Sequence, residues 1–293
     1  MNKLVRMISE DGTLYCLALD STEMVKEMQN IHNTSKVCSA ALGRLITGAS
    51  MMGVLLKGEK DTLTLKISGG GPASPVVAVV NSKGRVKGYI GDSRVNLPLN
   101  NKGKLDVSGA VGKDGFLTVI KDLGLKEPYC AQTPIISGEI AEDITAYYAT
   151  SEQTPTVCAL GVLVDPQTEN VLLAGGFLIQ LLPTAGEDTI SLVEKSLDGI
   201  KPVTTMLAEG LTPEEICKTV LSEFPMQLLD TQNVEYKCDC STERVTRALI
   251  GAGEDGLREM AEDEQTEVCC HFCNKKYIFS RDKILKLLKE ASL

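Results

Sequence analysis

Apolar and polar positions alternate in short runs along residues 1–180, and the runs come in pairs joined by turn residues. "KLVRMISEDGTLYCLALD" is two such runs around Asp11-Gly12, a strong hairpin signal. "DTLTLKISG" alternates as a strand, and "SPVVAVVNSKGRVKGYIG" predicts a second hairpin turning at Ser82-Lys83-Gly84. "GFLTVIKDL" and "TPIISGEI" are further strand candidates, and "TPTVCALGVLVDPQTENVLLAGGFLIQLLP" predicts two apolar strands around Asp165-Pro166-Gln167. Helical spacing interrupts these runs. "STEMVKEMQNIH" opens on an N-cap at Ser21 or Thr22, Thr34 to Leu56 predicts a long buried helix, and "EIAEDITAYYATSEQ" is amphipathic. Hairpins outnumber strand–helix–strand crossovers, which predicts an α+β fold.

From Thr184 the texture changes to three short helical patterns broken by Gly199, Pro202, Gly210, Pro213 and Pro225. Residues 181–234 hold three Lys, no Arg and nine Asp plus Glu, a net charge of −6. Short helices carrying one sign of charge are weak on their own. The segment is therefore a helical, acidic linker, with a passive solvated connector as the plain alternative. Residues 235–293 predict two short helices, a short strand in "KKYIF" and an amphipathic terminal helix. They carry few apolar residues for their length, so this third part needs a staple to fold. The expected organisation is an N-terminal α/β domain over 1–180, a linker over 181–234 and a small C-terminal domain over 235–293.

The whole-chain charge of −9 removes general nucleic-acid binding, and the last segment is itself net −2. "MNKLVRMISEDG" carries Glu10 where a signal peptide needs apolar residues. The longest apolar stretch, bounded by Arg44 and Lys57, is too short for a bilayer. A cytoplasmic protein is expected. "ISGGGPASP" lacks the Lys-Ser/Thr of a phosphate loop and fits a turn instead. His32 and His271 are the only histidines, and no carboxylate pair stands out. The chain therefore does not look like an enzyme.

Ten cysteines carry the chemistry that remains. Reducing compartments keep thiols free, so clustered cysteines there point to metal or redox work. Cys16, Cys38, Cys130, Cys158 and Cys217 lie singly among apolar neighbours and are expected to be small buried hydrophobes. The other five fall in "YKCDC" and "EVCCHFC". Cys238-x-Cys240 with Cys270-x-x-Cys273 offers four soft ligands from two tight turns, the donor set of a structural zinc site. Lys237, Lys275 and Lys276 sit where they would offset its negative charge. His271 is expected to be exposed on the knuckle. A permanent zinc staple and an oxidation-sensitive one both fit these residues, although the unusual C-x-C spacing favours the second.

"YKCDCSTERV" followed at this distance by "CHFCNKKYIF", together with "AEGLTPEEI" in the linker, resembles the redox-regulated chaperone family called heat shock protein 33. The resemblance covers the whole chain. It implies an ATP-independent holdase. When reduced, Cys238, Cys240, Cys270 and Cys273 would bind one Zn²⁺ per chain and the chaperone would be idle. It further implies that oxidation forms Cys238–Cys240 and Cys270–Cys273, releases the metal and unfolds the C-terminal domain and linker. Apolar surface would then reach unfolding client proteins, in an active homodimer that takes neither nucleic acid nor membrane as partner. Cys269 departs from the four-ligand pattern and is read as an exposed bystander. A zinc-ribbon interaction module attached to an unrelated α/β domain is the competing expectation.

Overall fold

The computed structural model describes residues 2–291, which form two compact units, Met1–Lys237 and Cys238–Leu293. The first unit is built on a mixed sheet. Its strands, with the helices that interrupt them, are β1 (Asn2–Ser9), β2 (Leu14–Asp20), α1 (Thr22–His32), α2 (Lys36–Gly53), β3 (Thr62–Gly70), β4 (Val76–Asn81), β5 (Arg85–Ile90), α3 (Val107–Val111), β6 (Gly112–Asp122) and β7 (Tyr129–Pro134). There follow α4 (Ala141–Tyr147), a π turn at Tyr148–Glu152, β8 (Thr156–Val164), β9 (Val171–Leu181), α5 (Glu187–Leu197), α6 (Val203–Ala208), α7 (Pro213–Val220) and β10 (Met226–Tyr236). The strand order is β7-β6-β3-β4-β5-β10-β1-β2-β9-β8. The expected α+β class with paired hairpins is the one observed.

Side-chain alternation on the strands splits the apolar residues between two faces. On one face Leu4, Leu17, Leu19 and Leu178 pack with α1, α2 and α4. In α2 every residue except Lys36 and Arg44 is buried, which explains its small-residue, all-round apolar sequence. On the other face Val5, Met7, Leu14, Cys16, Ala18, Phe177 and Ile179 pack with Val193, Val203, Met206, Leu207, Ile216, Cys217, Val220, Leu221 and Phe224 from the region of α5–α7.

This second face changes the picture of residues 181–234. The three helices are present, but they cover a sheet face within the first unit. The segment's last part is not helical: Met226–Tyr236 is β10, antiparallel to β1 and parallel to β5 at Glu235↔Arg85 and Tyr236↔Val86. β10 joins two five- and four-stranded halves of the sheet. Its polar residues Asp230, Gln232 and Asn233 hide any strand signal, and pairing with β1 decides its conformation instead. The compact first unit therefore runs to Lys237, beyond the 180 expected for the first domain.

One smaller difference concerns a strand of the hairpin-rich half. The strand expected in "TPIISGEI" lies earlier, at Tyr129–Pro134, because Ile135 to Ile140 make the tight loop closed on the buried Asp143 carboxylate. The glycines of "ISGGGPASP" do form a hairpin turn between β3 and β4, and they are needed for close packing. Gly71 donates to Val111 O at 3.0 Å, and a Cβ on Gly112 would lie 2.1 Å from Gly69 O. Gly112 also holds φ at +85°. Gly112→Ala is expected to destabilise the first unit by about 1–3 kcal/mol, read by calorimetry as a lowered melting temperature. An unchanged melting temperature would mean that this close approach is dispensable.

The second unit contains α8 (Thr242–Ile250), α9 (Gly253–Met260), the hairpin β11 (Gln265–Cys269) and β12 (Lys276–Ser280), and α10 (Arg281–Ala291). The last two residues of the expected terminal helix lie outside the described ones. β11 was not foreseen, since "QTEVC" is short and half exposed. The core is small: Val245, Leu249, Leu257, Ala261, Tyr277, Phe279, Ile284 and Leu287.

Candidate metal centre

Two backbone turns present the cysteines of the second unit. Cys238 and Cys240 stand immediately before α8, whose N-cap Ser241 accepts from Arg244 N at 3.3 Å. The Arg244 guanidinium also pairs with Asp239, the residue between the two cysteines. Cys270 and Cys273 belong to the knuckle joining β11 to β12. There Cys270 O accepts from Cys273 N at 3.3 Å and Asn274 N at 2.8 Å, and Cys270 N donates to Lys275 O at 2.9 Å. Asn274 completes the turn in the left-handed region, at φ +57°, which Asn tolerates well.

These turns bring four sulfurs to within 4.8 Å of one another, each half-buried, and they are the one such cluster among the described residues. Cys238 Sγ lies 3.7 Å from Cys270 Sγ, and Cys240 Sγ lies 3.4 Å from Cys273 Sγ. Four thiolates around a tetrahedral ion with bonds of about 2.3 Å have sulfurs about 3.8 Å apart. The cluster can therefore hold a metal ion with little movement.

Electrostatics divide the four thiols. Burial raises the pKa of Cys238, and it also pushes Cys273 up to about 11. Burial works against the Cys240 thiolate too, but a hydrogen bond from Tyr277 and those from the neighbouring thiols outweigh it. Cys240 comes down to about 7. The Tyr277 hydroxyl donates to Cys240 Sγ at 3.1 Å, and the hydrogen bond to this sulfur raises the pKa of the phenol. Tyr277 was not singled out from the sequence, because the sulfur it serves lies 37 positions away.

Other expectations meet the structure unevenly. Cys269 is exposed and lies on the solvent side of β11 with Gln265 and Glu267, outside the cluster. His271 is also exposed. The lysines are otherwise engaged: Lys276 pairs with Glu267 at 2.9 Å, Lys237 with Glu235 at 3.6 Å, and Lys275 sits 5.2 Å from the Tyr277 ring centre. Cys16, Cys38 and Cys217 are buried and Cys158 is half-buried, but Cys130 is exposed. Its place on the outermost strand β7 leaves it without cover on one side. Among the described residues no helix is long and apolar enough to cross a membrane.

Comparison with known proteins places this site in context. The family model for Hsp33 protein matches residues 2–280. The 33 kDa chaperonin of Acetivibrio thermocellus is 48% identical over 98% of this chain and 96% of its own. That of Clostridium perfringens is 48% identical over 99% of this chain and 92% of its own. The crystal structure of the 33 kDa chaperonin, or heat shock protein 33 homolog, of Thermotoga maritima superposes with a TM-score of 0.90. It is 36% identical and covers 99% of both chains. The matches span both compact units, including the turns that carry the four clustered cysteines, and the chain belongs to the Hsp33 family, whose members are chaperones and not enzymes.

Proposed function

We propose that this chain is a redox-regulated, ATP-independent holdase of the cytoplasm that keeps unfolding client proteins from aggregating under oxidative stress. The observation that carries this reading is the cysteine cluster itself, a donor set with the spacing of a tetrahedral zinc site in a unit with only a small core. Bound zinc would supply a cross-link between the two cysteine pairs. Cys238, Cys240, Cys270 and Cys273 hold it as thiolates, with Tyr277 fixing the orientation of Cys240. One Zn²⁺ per chain belongs to the reduced, idle form.

Oxidation converts these ligands to the disulfides Cys238–Cys240 and Cys270–Cys273. Each bond forms as a thiolate pair gives up two electrons to one hydrogen peroxide, which takes two protons from solvent and leaves as two waters. A disulfide sulfur is a poor metal ligand, so the cross-link is lost and with it the fold of the second unit. Loss of α5–α7 from the sheet then uncovers Val5, Met7, Leu14, Cys16, Ala18, Phe177 and Ile179. This apolar face offers unfolding clients what their own cores have lost, in a homodimeric active form.

The test compares reduced, zinc-loaded protein with protein treated with peroxide under mild heat. Zinc release, disulfide mapping and suppression of client aggregation are followed together. Equal suppression in both states, or zinc retained after oxidation, overturns the proposal. Tyr277→Phe probes the support of the metal. Loss of its hydrogen bond is expected to weaken zinc binding by about 10- to 100-fold, measured by chelator competition.

A further inference from the structure

The two edges of the large sheet are built differently. β7 is six residues long, ends in Pro134 and follows Lys126, Glu127 and Pro128, so its edge is short and guarded. β8 is nine residues, "TVCALGVLV", with no charge and no proline. Such a strand is a template for another chain unless something covers it.

The ladder shows which atoms are available. β8 pairs with β9 antiparallel in the register Val157↔Ile179, Ala159↔Phe177 and Gly161↔Gly175. Leu181 N donates to Pro155 O at 3.1 Å, so Pro155 is bonded inward. Antiparallel pairs alternate between bonded and non-bonded. Val157, Ala159 and Gly161 therefore bond inward, and Cys158, Leu160 and Val162 turn their N–H and C=O groups outward. No hydrogen bond reaches these outward groups among the described residues. Alongside them runs a groove of about 540 Å³. Cys158 and Leu160 line it together with Arg44, Glu139, Lys102 and Lys104.

We infer that the outer edge of β8 is a docking site for one extended segment of an unfolded polypeptide, added to the sheet as an eleventh strand. The inference rests on the holdase reading and locates where that activity grips its client. Strand addition uses backbone atoms that every unfolded chain carries, so it tolerates any sequence. The position is also continuous with the apolar face beneath α5–α7. Val157 and Ala159 of β8 pack in that same cluster, so an added strand widens the same surface.

The probe is lysozyme that has been reduced, alkylated and thus kept unfolded, bound to the oxidised full-length protein. Hydrogen exchange of the wild type reads the site without any mutation. The amides of Cys158, Leu160 and Val162 are expected to slow at least 10-fold in the complex. A complex that forms without protecting them overturns the assignment. Protection that needs no client and rises with protein concentration overturns it in favour of edge pairing between two copies. If the oxidised protein binds no lysozyme at all, the holdase reading itself fails, and that outcome is distinct from both. Val162→Pro gives an independent check. Proline here removes an outward N–H and spares the β8–β9 ladder. It is expected to weaken lysozyme binding at least 10-fold, with zinc stoichiometry and disulfide formation in the other unit unaffected. Wild-type affinity in a folded Val162→Pro protein overturns the inference.

Discussion

Stripping the metal from the reduced protein with a chelator is expected to unfold Cys238–Leu293 and to leave the sheet of the first unit folded. The second unit buries eight apolar side chains in its core, several of them only just covered, on three short helices and one hairpin. Domains of this kind fold on the free energy of metal binding, on the order of 10–16 kcal/mol in zinc-finger peptides. No rearrangement of the remaining contacts offsets a loss of that size. Circular dichroism should show loss of helix, and trypsin should cut at Arg244, Arg247 and Arg258 while the sheet resists. Cys240→Ser or Cys273→Ser is expected to act like the chelator. Cys269→Ser is expected to keep one zinc per chain, because that thiol faces solvent on β11. A second unit that keeps its exchange protection after stoichiometric metal loss would show that the cluster is not the staple.

The cysteine site was legible in the sequence because its geometry is local. C-x-C before a capped helix and C-x-x-C in a knuckle are each set by a few consecutive residues, and both turns formed where the spacing put them. Only the meeting of the two pairs needed the fold. The supporting Tyr277 was illegible for the opposite reason, since nothing around "KKYIF" says where its hydroxyl ends. The same division holds for the sheet. Hairpins with glycine turns, such as β1–β2 and β4–β5, were written in adjacent residues. β10 was not, because its partners β1 and β5 lie far back in the chain and its own residues are largely polar and exposed.

That missed strand alters how the chain runs from the sheet to the clustered cysteines. Tyr236, two residues before Cys238, is buried at the end of β10, where its hydroxyl donates to Gly88 O at 2.7 Å and lies 2.9 Å from His32 Nε2. Lys237 N still donates to Val86 O at 2.7 Å. The sheet pairing thus extends to the last residue before the first cysteine. The acidic helices α5–α7 do not lead directly into the clustered cysteines, because β10 stands between them. They lie upstream of β10 and cover the apolar face, so opening that face requires α5–α7 to leave the sheet.

Ile216→Asp is therefore expected to produce client holding without oxidation. Ile216 is fully buried in α7, within the cluster that closes the helices onto Val5, Cys16 and Phe177. An aspartate there has no cation among the apolar residues of that cluster, and burying an unpaired charge belongs with the most destabilising substitutions, above about 4 kcal/mol. The helices around it are short, and their segment carries a net charge of −6, so they have little stability of their own with which to stay docked. Releasing them should be easier than deforming the sheet, whose other face remains packed against α2. The reduced, zinc-loaded variant should bind a hydrophobic dye strongly and suppress aggregation to near the level of oxidised wild type. Its zinc content should be unchanged, because all four ligands lie in the other unit. If the dye reports an exposed face while clients still aggregate, then α5–α7 do not mask the client surface. Activation would then have to come from the unfolded second unit itself.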